Sequence, residues 1–463
     1  MTENKKRSDT MNWNDLLNAA RLGYPTPKSN APHDSRNAFE QDYSRVVFSS
    51  AVRRLQDKAQ VFPLESTGYV RTRLTHSMEV SSIARSLGVS VENELIRTGR
   101  MEAEHAGSLG AILSTAGLIH DLGNPPFGHY GEEVIQRFFS NMFTKDSMGL
   151  DSAMQGDFCH FDGNAQALRY ITKIHYMYDR DGAVHGYDLT FATMATIVKY
   201  PRSSLEVDKR KGLSYKKIGY FQSEKEKFET IRQGCGIGSS RHPLVFLLEA
   251  ADDIAYMAAD IEDGFKKGAV SLEKIREYLK THISTEEGLE LLARLERQQE
   301  RINPLYPDQE ELTVQWLRIF IQQFLIKSAL DAFFEHYEAI MAGTHEADLL
   351  KSGAAGEILD ALKSLGRDHI YSHKSAVTKE LAGGKALEGL LEFFTHAVLS
   401  ERNDFRSRSL YSLISPNFRF ISEQFPAYPA TVYDKLLLVT DFISGMTDTY
   451  AIDLYQRLSG IKM

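Results

Sequence analysis

Cysteines, long apolar runs and an excess of basic residues are all missing from this sequence. Its 463 residues include only Cys159 and Cys235, too few for a disulfide framework and typical of a reducing compartment. No apolar run approaches the roughly 18–20 residues of a membrane-spanning helix. The N-terminus, MTENKKRSDTMNWNDLL, lacks the apolar centre of a signal peptide. We therefore expect a cytoplasmic protein with no membrane partner. The formal net charge of −8 argues against a nucleic-acid coat but leaves room for a local basic patch.

Alternating strand patterns are scarce as well, and apolar residues from Phe39 onward mostly recur at steps of three and four. This spacing predicts amphipathic helices, most clearly over residues 73–95, 108–120, 243–265, 310–341 and 433–458. The sequence therefore predicts an all-α protein with a helical core and additional C-terminal helices. We divide it into a polar, flexible N-terminal arm over residues 1–36, a core over residues 37–268, and a helical region over residues 269–463. The last region is expected to pack on the core.

Two histidines and two acids occupy helix positions far apart in the chain: His76, His120, Asp121 and Asp252. Such a set suits a divalent first-row metal with open positions for water and substrate. The metal would turn water into a nucleophile and neutralise phosphate charge. A lone helical histidine is more often a core or surface residue, and a His-Asp pair at a helix end can be a simple cap. A metal site is favoured by the corner that follows, Gly123-Asn124-Pro125-Pro126-Phe127-Gly128, because it fixes one backbone path directly after His120-Asp121.

Further chemistry-bearing residues stand near these four. His129 and Glu132 are three apart and can touch on a first helical turn, giving an acid–base or phosphate-contacting pair, or else an ordinary surface pair. Asp252, Tyr256 and Asp260 follow a four-residue step and share one helix face. The alternative is that Tyr256 belongs to the core and Asp260 to the solvent. Asp253 is a rival ligand that spacing alone does not exclude.

These residues lie in stretches that resemble a known family. SRVVFSSAVRRLQDKAQVFPL, RTRLTHSMEVSSIARSLG, GLIHDLGNPPFGHYGEE, FDGNAQALR, IVKYPRSS and LEAADDIAYMAADIEDG closely resemble the bacterial dGTP triphosphohydrolases of the HD-domain phosphohydrolase superfamily. The resemblance runs from about Ser44 to Gly264 and resumes in TDFISGMTDTYAIDLYQRL. It implies an HD-type core and the hydrolysis of a deoxynucleoside triphosphate to the deoxynucleoside and inorganic triphosphate.

The resemblance also implies a role for each matching residue. The metal ligands are His76, His120, Asp121 and Asp252, and the catalytic histidine with its acidic partner are His129 and Glu132. The substrate-binding residues are Arg73, Gln60, Asn164, Lys199, Tyr200, Lys217, Tyr256 and Asp260. A triphosphate carries about four negative charges, which cations grip by charge-assisted hydrogen bonds. The ion itself stays open, because Mg²⁺, Mn²⁺, Co²⁺ and iron all suit two histidines and two aspartates.

Other readings use the same residues. Another HD phosphohydrolase, such as a nucleotidase or phosphodiesterase, would release phosphate or a monophosphate. A catalytically inactive scaffold that binds nucleotides or single-stranded DNA gains support from the basic, turn-rich segment 200–222, which we expect to be a flexible loop. The resemblance further implies a hexamer built from dimers, in which residues 269–463 also pack on neighbouring subunits, and regulation by single-stranded DNA. Whether dGTP alone or several dNTPs are cleaved is not fixed by the sequence, nor is whether His129 acts as acid, base or phosphate ligand.

Overall fold

The computed structural model describes residues 10–24, 33–65, 68–175, 179–180, 183–400, 404–428 and 431–462, and it is built almost wholly from helices. The strands in these ranges are a two-residue antiparallel pair, β1 (Asp179–Arg180) and β2 (Ala183–Val184). The α-helices, in chain order, are α1 (Trp13–Leu16), α2 (Ala38–Val47), α3 (Ser50–Arg54), α4 (Arg73–Arg97), α5 (Ser108–Ile119), α6 (Gly128–Lys145), α7 (Ser152–Cys159), α8 (Gly163–Arg169), α9 (Phe191–Ile197), α10 (Lys225–Gly234), α11 (Pro243–Lys266), α12 (Leu272–His282), α13 (Glu286–Gln299), α14 (Gln309–Glu335), α15 (Tyr337–Met341), α16 (Gly353–Leu365), α17 (Lys374–Leu399), α18 (Phe405–Leu413), α19 (Pro416–Gln424), α20 (Val432–Ser444) and α21 (Asp448–Leu458). The all-α prediction is confirmed.

Two of the helices predicted from apolar spacing are each divided in two. The run 310–341 breaks at His336, between α14 and α15, and the run 433–458 breaks between α20 and α21. At the second break Gly445 ends α20, and the Thr447 hydroxyl accepts a hydrogen bond from the Tyr450 N–H to cap α21. Apolar spacing continues across both breaks, so periodicity alone did not reveal them.

Helices α4, α5 and α11 form the centre of the molecule. A Cβ on Gly117 of α5 would lie 2.8 Å from the backbone of Ser81 on α4, so the bare glycine lets these two helices approach closely. Most residues of helix α11 are buried, and its first half is strongly apolar, with Leu244, Leu247 and Leu248 fully buried. The predicted metal ligands lie on α4 and α11 and directly after the last residue of α5, where these three helices meet.

The corner between α5 and α6 is tightly packed. A Cβ on Gly123 would lie 2.1 Å from the carbonyl oxygen of Gly163, so only glycine fits there. Phe127 has a φ of 61°, a left-handed conformation that is unusual for a bulky side chain. Both features hold the chain on one path immediately after His120 and Asp121.

Apolar packing crosses the predicted boundary at residue 268. One buried cluster joins Val80 and Ile254 to Leu317 and Leu362, and a second joins Phe139 of α6 to residues of α17 and α20. The C-terminal helices therefore pack directly on the elements that carry the predicted ligands. The division into a core and a C-terminal region remains a prediction.

Within the segment 1–36, predicted as a flexible arm, residues 10–24 pack against the rest of the chain, and the flexibility of the arm remains a prediction. Trp13 and Leu16 of α1 are buried, and the Trp13 Nε1–H donates a hydrogen bond to the Tyr337 hydroxyl at 2.9 Å. Arg21 is paired with buried Asp42 at 2.6 Å. Apolar and ion-pair contacts thus fix a segment whose polar composition suggested mobility. Residues 1–9 and 25–32, with the prolines of the arm, lie outside the described residues. Across the described ranges, no helix is long and apolar enough to cross a membrane.

Candidate active site

The four predicted metal ligands converge where α4, the end of α5 and α11 meet. Nε2 of His76 lies 3.1 Å from Oδ1 of Asp252, and Nε2 of His120 lies 3.5 Å from the same oxygen. Ligand atoms of His76, His120 and Asp121 all lie within 4.8 Å of one another. These three side chains can therefore share one ion, and the Asp252 carboxylate is close enough to both imidazoles to join them.

The surroundings of His120 fit a bound cation. Its Nδ1–H donates to the Gly117 carbonyl at 2.7 Å, which leaves the Nε2 lone pair directed at the carboxylates of Asp121 and Asp252. That Nε2 is buried and has no hydrogen-bond partner among the described residues. Burial opposes protonation of His120, but the two carboxylates outweigh it and raise the His120 pKa. The position therefore attracts positive charge, which a divalent ion would supply.

Cations and an amide hold the two carboxylates in their ionised form. The Arg73 guanidinium donates to Oδ2 of Asp121 at 2.6 Å, the Asn124 amide donates to Oδ1 at 2.7 Å, and Lys199 lies 3.1 Å from Oδ2 of Asp252. Burial opposes ionisation, but nearby positive groups, His120 and Arg73 at Asp121 and Lys199 and His120 at Asp252, hold both pKa values well below the usual range. Burial likewise disfavours the Lys199 ammonium, but the Asp252 carboxylate raises its pKa above the usual value.

His129 and Glu132 form the predicted pair on the first turns of α6. The His129 Nδ1–H donates to Oε2 of Glu132 at 2.9 Å, and Oε1 of Glu132 accepts a hydrogen bond from the Gly163 N–H at 2.7 Å. Lys217 lies 3.7 Å from Glu132 and 2.6 Å from Asp162. The hydrogen bond and charge of Glu132 raise the His129 pKa. The His129 side chain is 79% exposed, whereas that of Glu132 is 5% exposed, so a fixed acid orients an accessible imidazole.

One cavity of about 360 Å³ contains most of the predicted site, within the size range of small-molecule pockets. Twelve of the fourteen predicted site residues line it: Gln60, Arg73, His76, His120, Asp121, His129, Asn164, Lys199, Tyr200, Lys217, Asp252 and Tyr256. Glu132 lies behind His129 and acts on the cavity through it. The functional roles of all these residues remain predictions.

Asp260 is the predicted substrate-binding residue that the structure does not place at the cavity wall. It lies one turn beyond Tyr256 on α11, is 2% exposed, and accepts a hydrogen bond from the Tyr371 hydroxyl at 2.7 Å. Burial raises its pKa well above the ordinary aspartate value. The Tyr256 and Tyr371 rings are stacked with centroids 6.4 Å apart, so Asp260 supports these rings from behind. The rival ligand Asp253 does line the cavity, but its contact there is Lys363 at 3.6 Å.

Besides Asp253, eight residues of the cavity wall were not among the site residues predicted from the sequence. They are Asn124, Leu213, Lys216, Glu249, Met257, Asp348, Lys351 and Lys363. The last three come from beyond residue 268, in and just before α16, where no local motif marks a site. Glu249 precedes Asp252 by three residues on α11, so helical spacing could have found it. The wall carries six basic residues, namely Arg73 and Lys199, Lys216, Lys217, Lys351 and Lys363, against five acidic ones.

Comparisons with known proteins agree with this geometry. The HD domain family matches residues 73–153, and a family described as a phosphohydrolase-associated domain matches residues 351–457. A deoxyguanosinetriphosphate triphosphohydrolase-like protein of Listeria innocua is 42% identical over 474 residues, which cover 98% of this chain and 100% of the relative. A protein of the same name from Synechocystis is 35% identical over 98% of this chain and 100% of its own length. A deoxyguanosinetriphosphate triphosphohydrolase of Salmonella paratyphi A is 31% identical over 93% of this chain and 95% of its own length.

Proposed function

The chain belongs to the dGTP triphosphohydrolase family of HD-domain phosphohydrolases, and we propose that it hydrolyses dGTP to deoxyguanosine and inorganic triphosphate, with other dNTPs as further candidate substrates. The observation that carries the proposal is one cavity with metal-type ligands at one wall and six basic side chains around them. A nucleoside alone would need no such density of positive charge, whereas a triphosphate does.

The metal would be held by His76, His120, Asp121 and Asp252. A divalent ion there supplies Lewis-acid activation of water and neutralises phosphate charge. Mg²⁺, Mn²⁺, Co²⁺ and iron all suit this donor set. The residues around the ligands prepare the position in advance, because Gly117 fixes the His120 tautomer while Arg73 and Asn124 orient Asp121.

The triphosphate would be bound by the side chains of Arg73, Lys199 and Lys217. In the structure each already faces the cavity and is paired with an acid: Asp121, Asp252 and Asp162 respectively. These acids orient the three cations at the cavity wall. A bound phosphate chain adds acceptors to groups that are already oriented, which lowers the entropic cost of binding.

His129 would act as the general acid or general base of the reaction. Attack of water on the α-phosphorus breaks the bond to the 5′-oxygen, which must gain a proton to leave as the deoxynucleoside hydroxyl. Because Nδ1 of His129 donates to Glu132, the other ring nitrogen is available to hold or give a proton. Whether it protonates the leaving oxygen or assists attack is decided by the pH experiment in the Discussion.

The direct test is to incubate the purified protein with each dNTP and each of the four metals, and to resolve the products by chromatography. We expect deoxyguanosine and triphosphate in equal amounts from dGTP, no turnover by His120→Ala, and full turnover by His105→Ala, a histidine remote from the cavity that bonds to Asn14. Release of phosphate or a monophosphate would assign the chain to another type of HD phosphohydrolase. No turnover of any dNTP with any metal would overturn the enzyme assignment.

An inactive scaffold is the second candidate, favoured by the exposed basic run Lys209, Arg210 and Lys211. The predicted flexible loop around it, segment 200–222, is anchored in the structure by fully buried Ser214 and Ile218. Single-stranded DNA binding would also be compatible with catalysis as regulation. Salt-dependent binding of an oligonucleotide, lost when the three cations are replaced by glutamine, tests it. The proposed hexamer of dimers is tested by light scattering during size-exclusion chromatography.

A further inference from the structure

The break between α20 and α21 is linked by hydrogen bonds to the corner between α5 and α6, where Asp121 lies. Ser444 is the last residue of α20 and Asp448 is the first residue of α21. Both are buried. Asp448 bonds directly to the corner between α5 and α6, more than 300 residues away in the chain, and Ser444 is joined to the corner through Lys58. These links are polar, unlike the apolar packing of the neighbouring helices.

Lys58 is the first link between the two regions. It is 3% exposed, and its Nζ donates to the carbonyl oxygen of Asn124 at 2.6 Å and to that of Ser444 at 2.7 Å. The Asn124 side chain in turn donates to Oδ1 of Asp121. The Lys58 carbonyl accepts a hydrogen bond from the Arg73 N–H at 3.0 Å, and Arg73 binds the other oxygen of Asp121. Lys58 therefore stands behind both groups that orient this ligand.

Asp448 is the second link. Its Oδ1 accepts a hydrogen bond from the Phe127 N–H at 3.0 Å, and its Oδ2 accepts one from the Ala59 N–H at 2.8 Å. Phe127 is the residue held in the left-handed conformation, a strained state that persists only where its surroundings impose it. Asp448 thus ties the strained end of the corner to the segment next to Lys58.

Burying these two groups is costly. Burial lowers the Lys58 pKa to about 7 and raises the Asp448 pKa. Apolar side chains of similar size would generally stabilise such a place as well or better. Unlike apolar packing, hydrogen bonds are directional, so these polar links fix the orientation of individual backbone groups of the corner.

We propose that Lys58 and Asp448 are positioning residues for the metal site, through which the α20–α21 break holds the corner so that Asp121 meets His76 and His120. The phosphohydrolase-associated C-terminal helices are then part of the metal site's support. The inference rests on the proposed metal site but not on the identity of the nucleotide. It makes two residues outside the cavity determinants of metal affinity.

The test compares Lys58→Met with a matched control, Lys227→Met. Lys227 has the same chemistry away from the corner: its Nζ donates to the carbonyl oxygens of Thr172 and Val184 at 2.6 and 3.0 Å, and burial lowers its pKa to about 7. For each variant of the full chain, Mn²⁺ affinity is measured by calorimetry, the thermal midpoint by circular dichroism, and kcat and KM with dGTP. Asp448→Asn, which keeps the size and one acceptor oxygen, is measured in parallel.

We expect Lys58→Met to weaken Mn²⁺ binding about 10- to 100-fold, the usual effect of removing a group behind a metal ligand. Its kcat at subsaturating metal should fall while KM for dGTP stays within about twofold. Lys227→Met should lose comparable thermal stability but keep wild-type Mn²⁺ affinity, and Asp448→Asn should be intermediate.

Wild-type Mn²⁺ affinity in folded Lys58→Met or Asp448→Asn would overturn the proposal. So would equal weakening in Lys227→Met, which would indicate a general loss of stability. If neither corner variant folds while Lys227→Met does, the two residues serve overall stability and the proposal is again wrong. A wild-type chain that binds Mn²⁺ but cleaves no dNTP would refute the proposed function and leave this inference intact.

Discussion

Replacing Glu132 with glutamine isolates the charge that acts on His129. The Glu132 carboxylate accepts hydrogen bonds from His129 and from the Gly163 N–H, and glutamine can keep one of these through its remaining oxygen. What Glu132→Gln removes is the negative charge beside the imidazole. That charge and its hydrogen bond raise the His129 pKa above the ordinary histidine value. The variant should therefore lower the His129 pKa while leaving the ring close to its present position.

The size of the change follows from the exposure of the pair. Because the His129 side chain is 79% exposed, solvent screens the interaction, and an exposed ion pair contributes about 0.5–1 kcal/mol. At about 1.4 kcal/mol per pKa unit, this corresponds to a downward shift of roughly half a unit. Loss of the Glu132 charge should lower kcat about tenfold, against about 100-fold or more for His129→Ala, which removes the acid–base group.

The assay is the pH profile of kcat/KM for dGTP at saturating metal. If His129 acts as the acid, the alkaline limb of the profile moves to lower pH in Glu132→Gln; if it acts as the base, the acidic limb moves to lower pH. Glu133→Gln, an exposed acid next in the chain, is the control and should move neither limb. A Glu132→Gln profile that coincides with the wild type, or a shift to higher pH, would refute the reasoning.

The same pair makes a small contribution to stability with a defined sign. Since the folded-state pKa of His129 is raised, its stabilisation is fully present below the unfolded value of about 6.5. It is lost as pH rises through the folded-state pKa. Thermal midpoints of wild type and Glu132→Gln should therefore differ more at pH 5.5 than at pH 8.5.

Three further predictions concern the sugar pocket, the corner and the metal. Tyr256 lines the cavity, and we propose that its ring packs against the 2′ face of the sugar. Tyr256→Ala should then reduce the dGTP-to-GTP ratio of kcat/KM about tenfold or more, while Tyr256→Phe should keep it. An unchanged ratio in the alanine variant would contradict this prediction. Gly123→Ala should lower the free energy of unfolding in urea by about 2 kcal/mol or more, because its Cβ would lie 2.1 Å from the Gly163 carbonyl oxygen. The control is Gly68→Ala, which has open space around it and should leave this free energy nearly unchanged. Removing metal with EDTA should lower the thermal midpoint. Adding Mn²⁺ to 100 times its Kd should raise the free energy of unfolding by about 2.7 kcal/mol. A thermal midpoint that does not change with metal would argue against the metal site.

Local features of the sequence predicted the parts of the site that are encoded locally. Apolar spacing predicted α4, α5 and α11 nearly to their ends, and the Gly-Pro corner marked where α5 stops. The His129–Glu132 contact follows from a three-residue step, and the structure contains it. Spacing also put Asp252 and Tyr256 on one face of α11, and both line the cavity.

Features made by distant contacts were beyond this reasoning. Asp260 satisfies the same four-residue step as Tyr256, yet Tyr371 from another part of the chain covers it. Lys351 and Lys363 reach the cavity only because α16 packs beside α11, which no short motif indicates. The polar residues 10–24 looked like a mobile arm because their few apolar residues show no clear period. Their burial depends on contacts with distant elements, among them Tyr337 of α15, Gly234 of α10 and Asp42 of α2.

The most direct test of the central claim is anomalous diffraction at the manganese edge from crystals of the wild-type protein soaked in Mn²⁺. We predict one strong peak per chain, from an ion coordinated by the side chains of His76, His120, Asp121 and Asp252, and no such peak in His120→Ala. A peak elsewhere, or no peak between the two imidazoles, would contradict it.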